Sequence, residues 1–168
     1  QAAAVSIVNE ISHKLEITVA PLIRDDLIKI RQNKFWLEME MKSDIIFGGS
    51  SARLQPQSIP ILEKIGKILQ AYPNPIVVEG YTDNTPINSV SYPTNWELST
   101  ARSASVIHLL VREGVDPKQM SAVGFGNFRS ATDEEITPSS HVSQRRVVIV
   151  ILAKGISMKM LEMLRAAG

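Results

Sequence analysis

The chain predicts an α/β two-layer sandwich, with helices packed on one face of a mixed four-stranded sheet and a helical extension at the N-terminus. Three observations carry that prediction. Apolar residues near the N-terminus recur every three or four positions, the period of an amphipathic helix. Over 35–41 they alternate with polar residues, the period of a strand with one buried face. Segments of helical spacing and short apolar runs then follow in the order strand, helix, strand, helix, strand, strand, an order suited to neither an all-β barrel nor a bundle. The 168 residues, 44% hydrophobic and 21% charged, suffice for one packed core.

Taken in order, Ala4, Val8, Ile11, Leu15, Val19 and Leu22 form the first apolar stripe, in a segment reaching about Ile30. Pro21 lacks an amide proton and crowds the turn before it, so a break or bend is expected near Thr18 to Ala20. Phe35, Leu37, Met39 and Met41 alternate with Trp36, Glu38 and Glu40 as the first strand. Ser43 to Phe47 leads into Gly48, Gly49, Ser50 and Ser51, read as a loop. Ile61, Leu62, Ile65, Ile68 and Leu69 keep helical spacing, with Ser58 placed to cap and Pro60 tolerable only in the first turn. Pro73 and Pro75 stop that helix near Tyr72. Ile76 to Tyr81, interrupted only by Glu79, suits an interior strand. A third helix runs from near Asn95 to Gly114, and Met120 to Phe125 and Arg145 to Leu152 supply two more strands. The expected units are a helical extension over 1–34, the sandwich over 35–153, and a tail over 154–168. In that tail Ile156, Met160, Leu161 and Leu164 form a short helix docked on the body or on a partner.

Eighteen Lys and Arg against seventeen Asp and Glu leave a net charge of +1, so bulk electrostatics favours neither nucleic acid nor an anionic membrane surface. Without cysteine there is no disulfide framework, thiolate metal site or cysteine nucleophile, and either redox compartment is permitted. The longest apolar run, Val147 to Ala153, falls far short of the ~20 residues a spanning helix needs. The chain starts at Gln1 without a basic and apolar leader, and is expected to be a mature protein or a soluble part of a larger one.

The polar pair Thr82-Asp83 stands at the carboxyl end of the second strand, where open α/β sheets commonly place ligands. Asp83-Asn84 also suits a plain turn ahead of Pro86, since Asp and Asn side chains bond to nearby amides. On the third helix Leu98, Arg102, Val106 and Leu110 recur every four residues, so Arg102 interrupts an apolar ladder. A guanidinium there is costly unless a carboxylate meets it, and Asp83 is the natural candidate. Two versions stand: a structural Asp83 to Arg102 ion pair, or a cleft whose separated charges suit a zwitterion, with Asp83 taking an ammonium and Arg102 a carboxylate.

An enzyme would draw its general base from His13, His108 or His141. The sequence has no nucleophile elbow, phosphate-cradling glycine loop or helical metal-binding pair, and Gly124-Phe125-Gly126 ends a strand without opening a helix. No metal, cofactor or catalytic residue is therefore expected. An interaction module, docking through the first stripe and the Met-containing tail, is a further alternative.

Gly80-Tyr81-Thr82-Asp83-Asn84, Asn95-Trp96-Glu97-Leu98-Ser99 with Arg102, Gly124-Phe125-Gly126 and Arg145-Arg146-Val147 occur in the order seen in OmpA-like peptidoglycan-binding domains, which the chain resembles over roughly residues 40 to 152. The Asn-Trp-Glu-Leu-Ser form and the long insertion between Asp83 and Asn95 resemble the MotB and MotD-type family of flagellar motor stator subunits. The resemblance implies an OmpA-like fold. It implies that Asp83 and Arg102 bind the two ends of diaminopimelate in the peptidoglycan stem peptide, with Thr82, Asn95 and Leu98 shaping the pocket. It places at least one of Arg145 and Arg146 at the rim or braced against a carboxylate, and brings Ser50 near the ligand. It further implies a cell-wall anchor in the periplasm, working as a homodimer with a channel-forming stator partner. Residues 1–30 then look like the membrane-proximal linker of an inner-membrane single-pass protein. The chain departs from the family pattern at Gln144 and His141, where Asn and Arg are usual, and at Glu135 and Ser140 in the loop from Asn127 to Ser143.

Overall fold

The computed structural model describes residues 2–87, 89–129 and 144–167. Helix α1 (Ala2–Thr18) gives way at Val19 to the short α2 (Ala20–Arg24), the break expected ahead of Pro21. Asp26, with φ of 60°, turns the chain into strand β1 (Ile28–Gln32), followed by β2 (Trp36–Lys42). A single helical turn, α3 (Ser43–Ile46), occupies the stretch read as the entry to a loop. Then come α4 (Ile59–Leu69), β3 (Ile76–Tyr81), α5 (Asn95–Arg112), β4 (Met120–Gly124), β5 (Arg146–Leu152) and α6 (Met158–Ala167). The hydroxyl of Ser58 does not cap α4. It donates instead to the carbonyls of Ile46 and Gln55, tying that helix to α3.

The sheet is mixed and runs β1-β2-β5-β3-β4, with only β3 and β4 parallel. It has five strands where the sequence predicts four. The extra strand, β1, lies inside the stretch expected to be helical extension, so the sheet begins at Ile28.

Strand alternation divides the apolar residues between two faces. Leu37, Met39 and Met41 of β2, Ile76 and Val78 of β3, and Val147, Ile149 and Ile151 of β5 meet the helices. Val8, Ile11, Leu15 and Val19 are wholly buried in that same core, where α1 packs on α4, β1 and β2. The first stripe is thus covered by its own chain. On the other face Trp36, Val77, Tyr81, Val148, Val150 and Leu152 are closed over by Leu161 and Leu164 of α6. The tail helix docks on the body, and it covers the face opposite the other helices, so the one-sided arrangement expected from the sequence is incomplete.

Glycine sets the spacing between α5 and the sheet at two points. A Cβ on Gly80 would run into the carbonyl oxygen of Ser99, and one on Gly124 into the hydroxyl of Thr100. With hydrogens there instead, the N-terminal half of α5 lies directly on the ends of β3 and β4.

Candidate functional site

Helix α5 starts from a complete capping box. The Trp96 amide donates to Thr94 Oγ1 at 3.2 Å, and the Thr94 amide donates to Glu97 Oε2 at 2.7 Å. The hydrogen bond from the Thr94 hydroxyl, with help from backbone amides, holds the Glu97 carboxyl below its ordinary value. The cap fixes Asn95 at the end of the helix, where its Nδ2 donates to the carbonyls of Thr85 at 3.1 Å and Asp83 at 3.4 Å. That ties the turn after β3 to α5. The turn is itself an Asx turn, in which Asp83 Oδ1 accepts from the Thr85 amide at 3.0 Å. The structural reading of Asp83 therefore holds for one of its two oxygens.

The other oxygen, Oδ2, faces Arg145 Nε at 3.5 Å, an ion pair whose geometry falls short of a hydrogen bond. Arg145 is pulled at its far end by Asp44 at 3.6 Å and is more than a third exposed. Arg102, 3% exposed, makes no ion pair with Asp83. Its Nε donates to the Ser51 carbonyl at 2.9 Å and its Nη2 to the Gly49 carbonyl at 2.6 Å, while the guanidinium lies 5.0 Å from the centre of the Phe47 ring. Burial lowers its pKa from the ordinary arginine value, and neighbouring Arg145 acts in the same direction. Backbone carbonyls, rather than the expected carboxylate, offset the cost of its position in the apolar ladder.

Asp83, Arg102, Thr82, Asn95, Leu98, Ser50 and Arg145 line a single hollow, about 70 Å³ inside and about 380 Å³ counting its mouth. Seven of the eight residues assigned from sequence thus come together. Arg146 does not. As the next residue along β5 from Arg145 it points through the sheet, where it is 3% exposed, 3.8 Å from the Tyr81 ring centre and 3.5 Å from Glu40. Sequence reasoning also missed Gly49, which lends Arg102 a carbonyl, and Asp44, which braces Arg145. Asp44 could have been found by the rule that flagged Asp83, since it stands just beyond the carboxyl end of β2.

Among the described residues, two buried polar atoms at the hollow lack a hydrogen-bond partner, Thr82 Oγ1 and Arg145 Nε. In native structures such atoms are few, and they point to a ligand or ordered water. His13 and His108 are exposed on α1 and α5 and take no part in the hollow, and His141 lies outside the described residues, as do Glu135 and Ser140. Among the described residues no group of His, Asp or Glu is placed to hold a metal ion, and no helix is long and apolar enough to cross a membrane.

A mixed sheet with α5 laid over its strand ends, carrying a carboxylate and a guanidinium that line one slot without pairing to each other, defines an α/β sandwich domain. The sequence matches the OmpA family over residues 46–145, and the chain belongs to that family. Among curated relatives it is 30% identical to Motility protein B of Bacillus subtilis, over 71% of this chain and 46% of that protein. It is 33% identical to the peptidoglycan-binding protein ArfA of Mycobacterium tuberculosis, over 64% of this chain and 32% of that protein. The chain spans about half the length of the curated relatives it matches. Among solved structures it resembles the cell wall anchor of the type VI secretion system of Pseudomonas aeruginosa, with a TM-score of 0.76 and 26% identity over 83% of this chain and 97% of that one. The periplasmic domain of Helicobacter pylori MotB shares the fold, with a TM-score of 0.68 and 21% identity over 83% of this chain and 90% of that one.

Proposed function

We propose that this chain holds peptidoglycan without cutting it, by gripping the two ends of diaminopimelate in the stem peptide. The observation that carries this reading is that Asp83 and Arg102 line one hollow with no ion pair between them. An ammonium entering the hollow takes Asp83 Oδ2 in place of Arg145, and a carboxylate meets the face of the Arg102 fork not spent on the Gly49 and Ser51 carbonyls. Arg145, released toward Asp44, supplies a second positive charge for the ligand carboxylate. Thr82 Oγ1 gains the partner it lacks, and Leu98 backs the methylene chain between the two charged ends.

Membership of the OmpA family and the relatives named for peptidoglycan binding and motility support a cell-wall anchor, and the MotB likeness supports the stator of a flagellar motor. On this reading the domain stands in the periplasm, carried by a membrane helix that pairs with a channel-forming subunit. It works as a homodimer, with α1 entering the domain from the membrane side. Attachment to the wall would then resist the reaction torque of the rotor.

Co-sedimentation with purified sacculi tests the reading. The wild-type chain is expected in the pellet and Asp83→Asn in the supernatant, with unchanged far-UV circular dichroism. Solubilised muropeptides would point to a hydrolase, and a folded wild-type chain that stays in the supernatant would point to a pure interaction module.

A further inference from the structure

The outer side of α5, next to the charged slot, carries features that the slot does not use. Trp96 and Phe128 are 47% and 67% exposed, and their rings stack in near-parallel planes, 13° apart with centres at 5.0 Å. Two large rings held flat against each other in water form a rigid apolar face. The loops that build the slot also fix this face. The capping box holds the Trp96 backbone, and the turn at Gly126, whose carbonyl accepts from the Thr82 amide at 2.7 Å, brings Phe128 alongside.

Trp96, Glu97, Thr100, Ala101 and Ala104 outline a shallow depression of about 670 Å³, with the Glu97 carboxylate turned to the Thr94 cap. Ala101 is shared with a larger open hollow of about 990 Å³, where Ser50, Ser91 and Tyr92 present hydroxyls, Ser89 and Ser105 hold theirs to the backbone of Tyr92 and Ala52, and Arg53 is the charged member. Ser50 belongs in turn to the charged slot. A continuous track therefore crosses the N-terminal half of α5, charged at one end, hydroxyl-lined in the middle and aromatic at the other.

Hydroxyls both donate and accept, so they suit an uncharged ligand dense in polar groups. A flat aromatic face suits a ligand with one apolar side. A pyranose ring combines the two, with axial C–H bonds on a face and hydroxyls around its rim. We infer that this track binds N-acetylated amino-sugar units of a glycan strand, with Trp96 and Phe128 as the stacking platform. The inference rests on the peptidoglycan reading, because the strand it describes is the one whose stem peptide enters the slot.

The chain's two tryptophans make the test specific, since Trp36 is buried on the far side of the sheet and serves as an internal control. The probes are chitotetraose, an uncharged N-acetylglucosamine tetramer, and separately a diaminopimelate-containing stem tripeptide. Chitotetraose is expected to shift the Trp96 indole resonance and leave that of Trp36 in place. Trp96→Ala is expected to weaken retention on sacculi about tenfold, as loss of one aromatic anchor does, while Trp36 emission reports an intact core. A Trp96 resonance unmoved by chitotetraose would overturn the inference, as would full sacculus retention by Trp96→Ala. A Trp96→Ala variant altered only in sedimentation coefficient would also overturn it, by making the platform a contact between copies. If the wild-type chain ignores the tripeptide but its Trp96 resonance still answers to chitotetraose, the slot reading fails and the sugar platform stands.

Discussion

Arg102 shows how one side chain serves both fold and site. Its guanidinium is buried and holds the Gly49 and Ser51 carbonyls, so truncating it strips two acceptors of their donor and opens the 48–53 loop. Arg102→Ala is expected to lose sacculus binding and also about 1–3 kcal/mol of stability in urea unfolding. Arg102→Lys keeps the charge but not the fork, and should likewise lose binding while the loop amides exchange faster with deuterium. Glu97 gives a pH dependence at the same scale. Its folded pKa lies below the unfolded value, so its support for the helix start is complete above the ordinary carboxylate range and is lost as pH falls through the lowered value. Amide exchange at Thr94 and Trp96 should accelerate on acidification through that window, and Glu97→Gln should flatten the response. Thr82, Asp83 and Arg102 were legible because strand ends and an interrupted ladder are sequence features, whereas Asn95, Leu98, Ser50 and Arg145 rested on the family resemblance. The separate fates of Arg145 and Arg146 were legible in principle, since Val147 faces the helices and residues alternate along a strand. A doubled motif obscures that alternation.

At the scale of elements, the helices and the central strands followed from periodicity, and β1 did not. Ile28-Lys29-Ile30-Arg31 has only two inward apolar positions, and its neighbouring apolar residues continue the helical spacing of α1. Its outward Lys29 and Arg31 are what an edge strand carries to discourage further pairing, so the feature that protects the edge also hides it. Because the α1 stripe is buried within its own chain, Leu15→Ala should cost about 2–5 kcal/mol in urea unfolding. That cost should be the same at every protein concentration; a cost that climbs with concentration would place the stripe between copies. The close approach of α5 to the sheet gives a second expectation. Gly124→Ala meets the Thr100 amide at 2.5 Å as well as its hydroxyl, so it should lower stability by about 1–3 kcal/mol and shift the Asn95 amide resonance beside the slot.

At the scale of the whole molecule, the sheet separates a helix-covered core from a back face whose charges form a network. Glu79, 2% exposed in its side chain, receives both arms of Arg165 from α6 at 2.7 and 3.1 Å and the hydroxyl of Tyr81 at 3.0 Å. Arg165 also reaches Glu38 at 2.7 Å. Desolvation and the adjacent Glu79 push the Tyr81 phenol well above its ordinary pKa, which keeps it a donor across the accessible range. Arg165→Ala strands a buried carboxylate and should destabilise the chain by about 3–5 kcal/mol, and adding Glu79→Gln should recover part of that loss in a thermal melt. None of this was legible in sequence, because Arg165 and Glu79 stand 86 residues apart and nothing in the spacing of either announces the other.

The sheet also acts as a partition through a repeated letter. Arg145 and Arg146 stand side by side in the chain yet look into different compartments, one wet and one sealed. The register of β5 holds each at its station, because a slip of one residue would turn Val147, Ile149 and Ile151 out of the helix-covered core. Lesions in the two neighbours should therefore separate, Arg145→Ala lowering retention on sacculi and Arg146→Ala lowering the midpoint of a thermal melt.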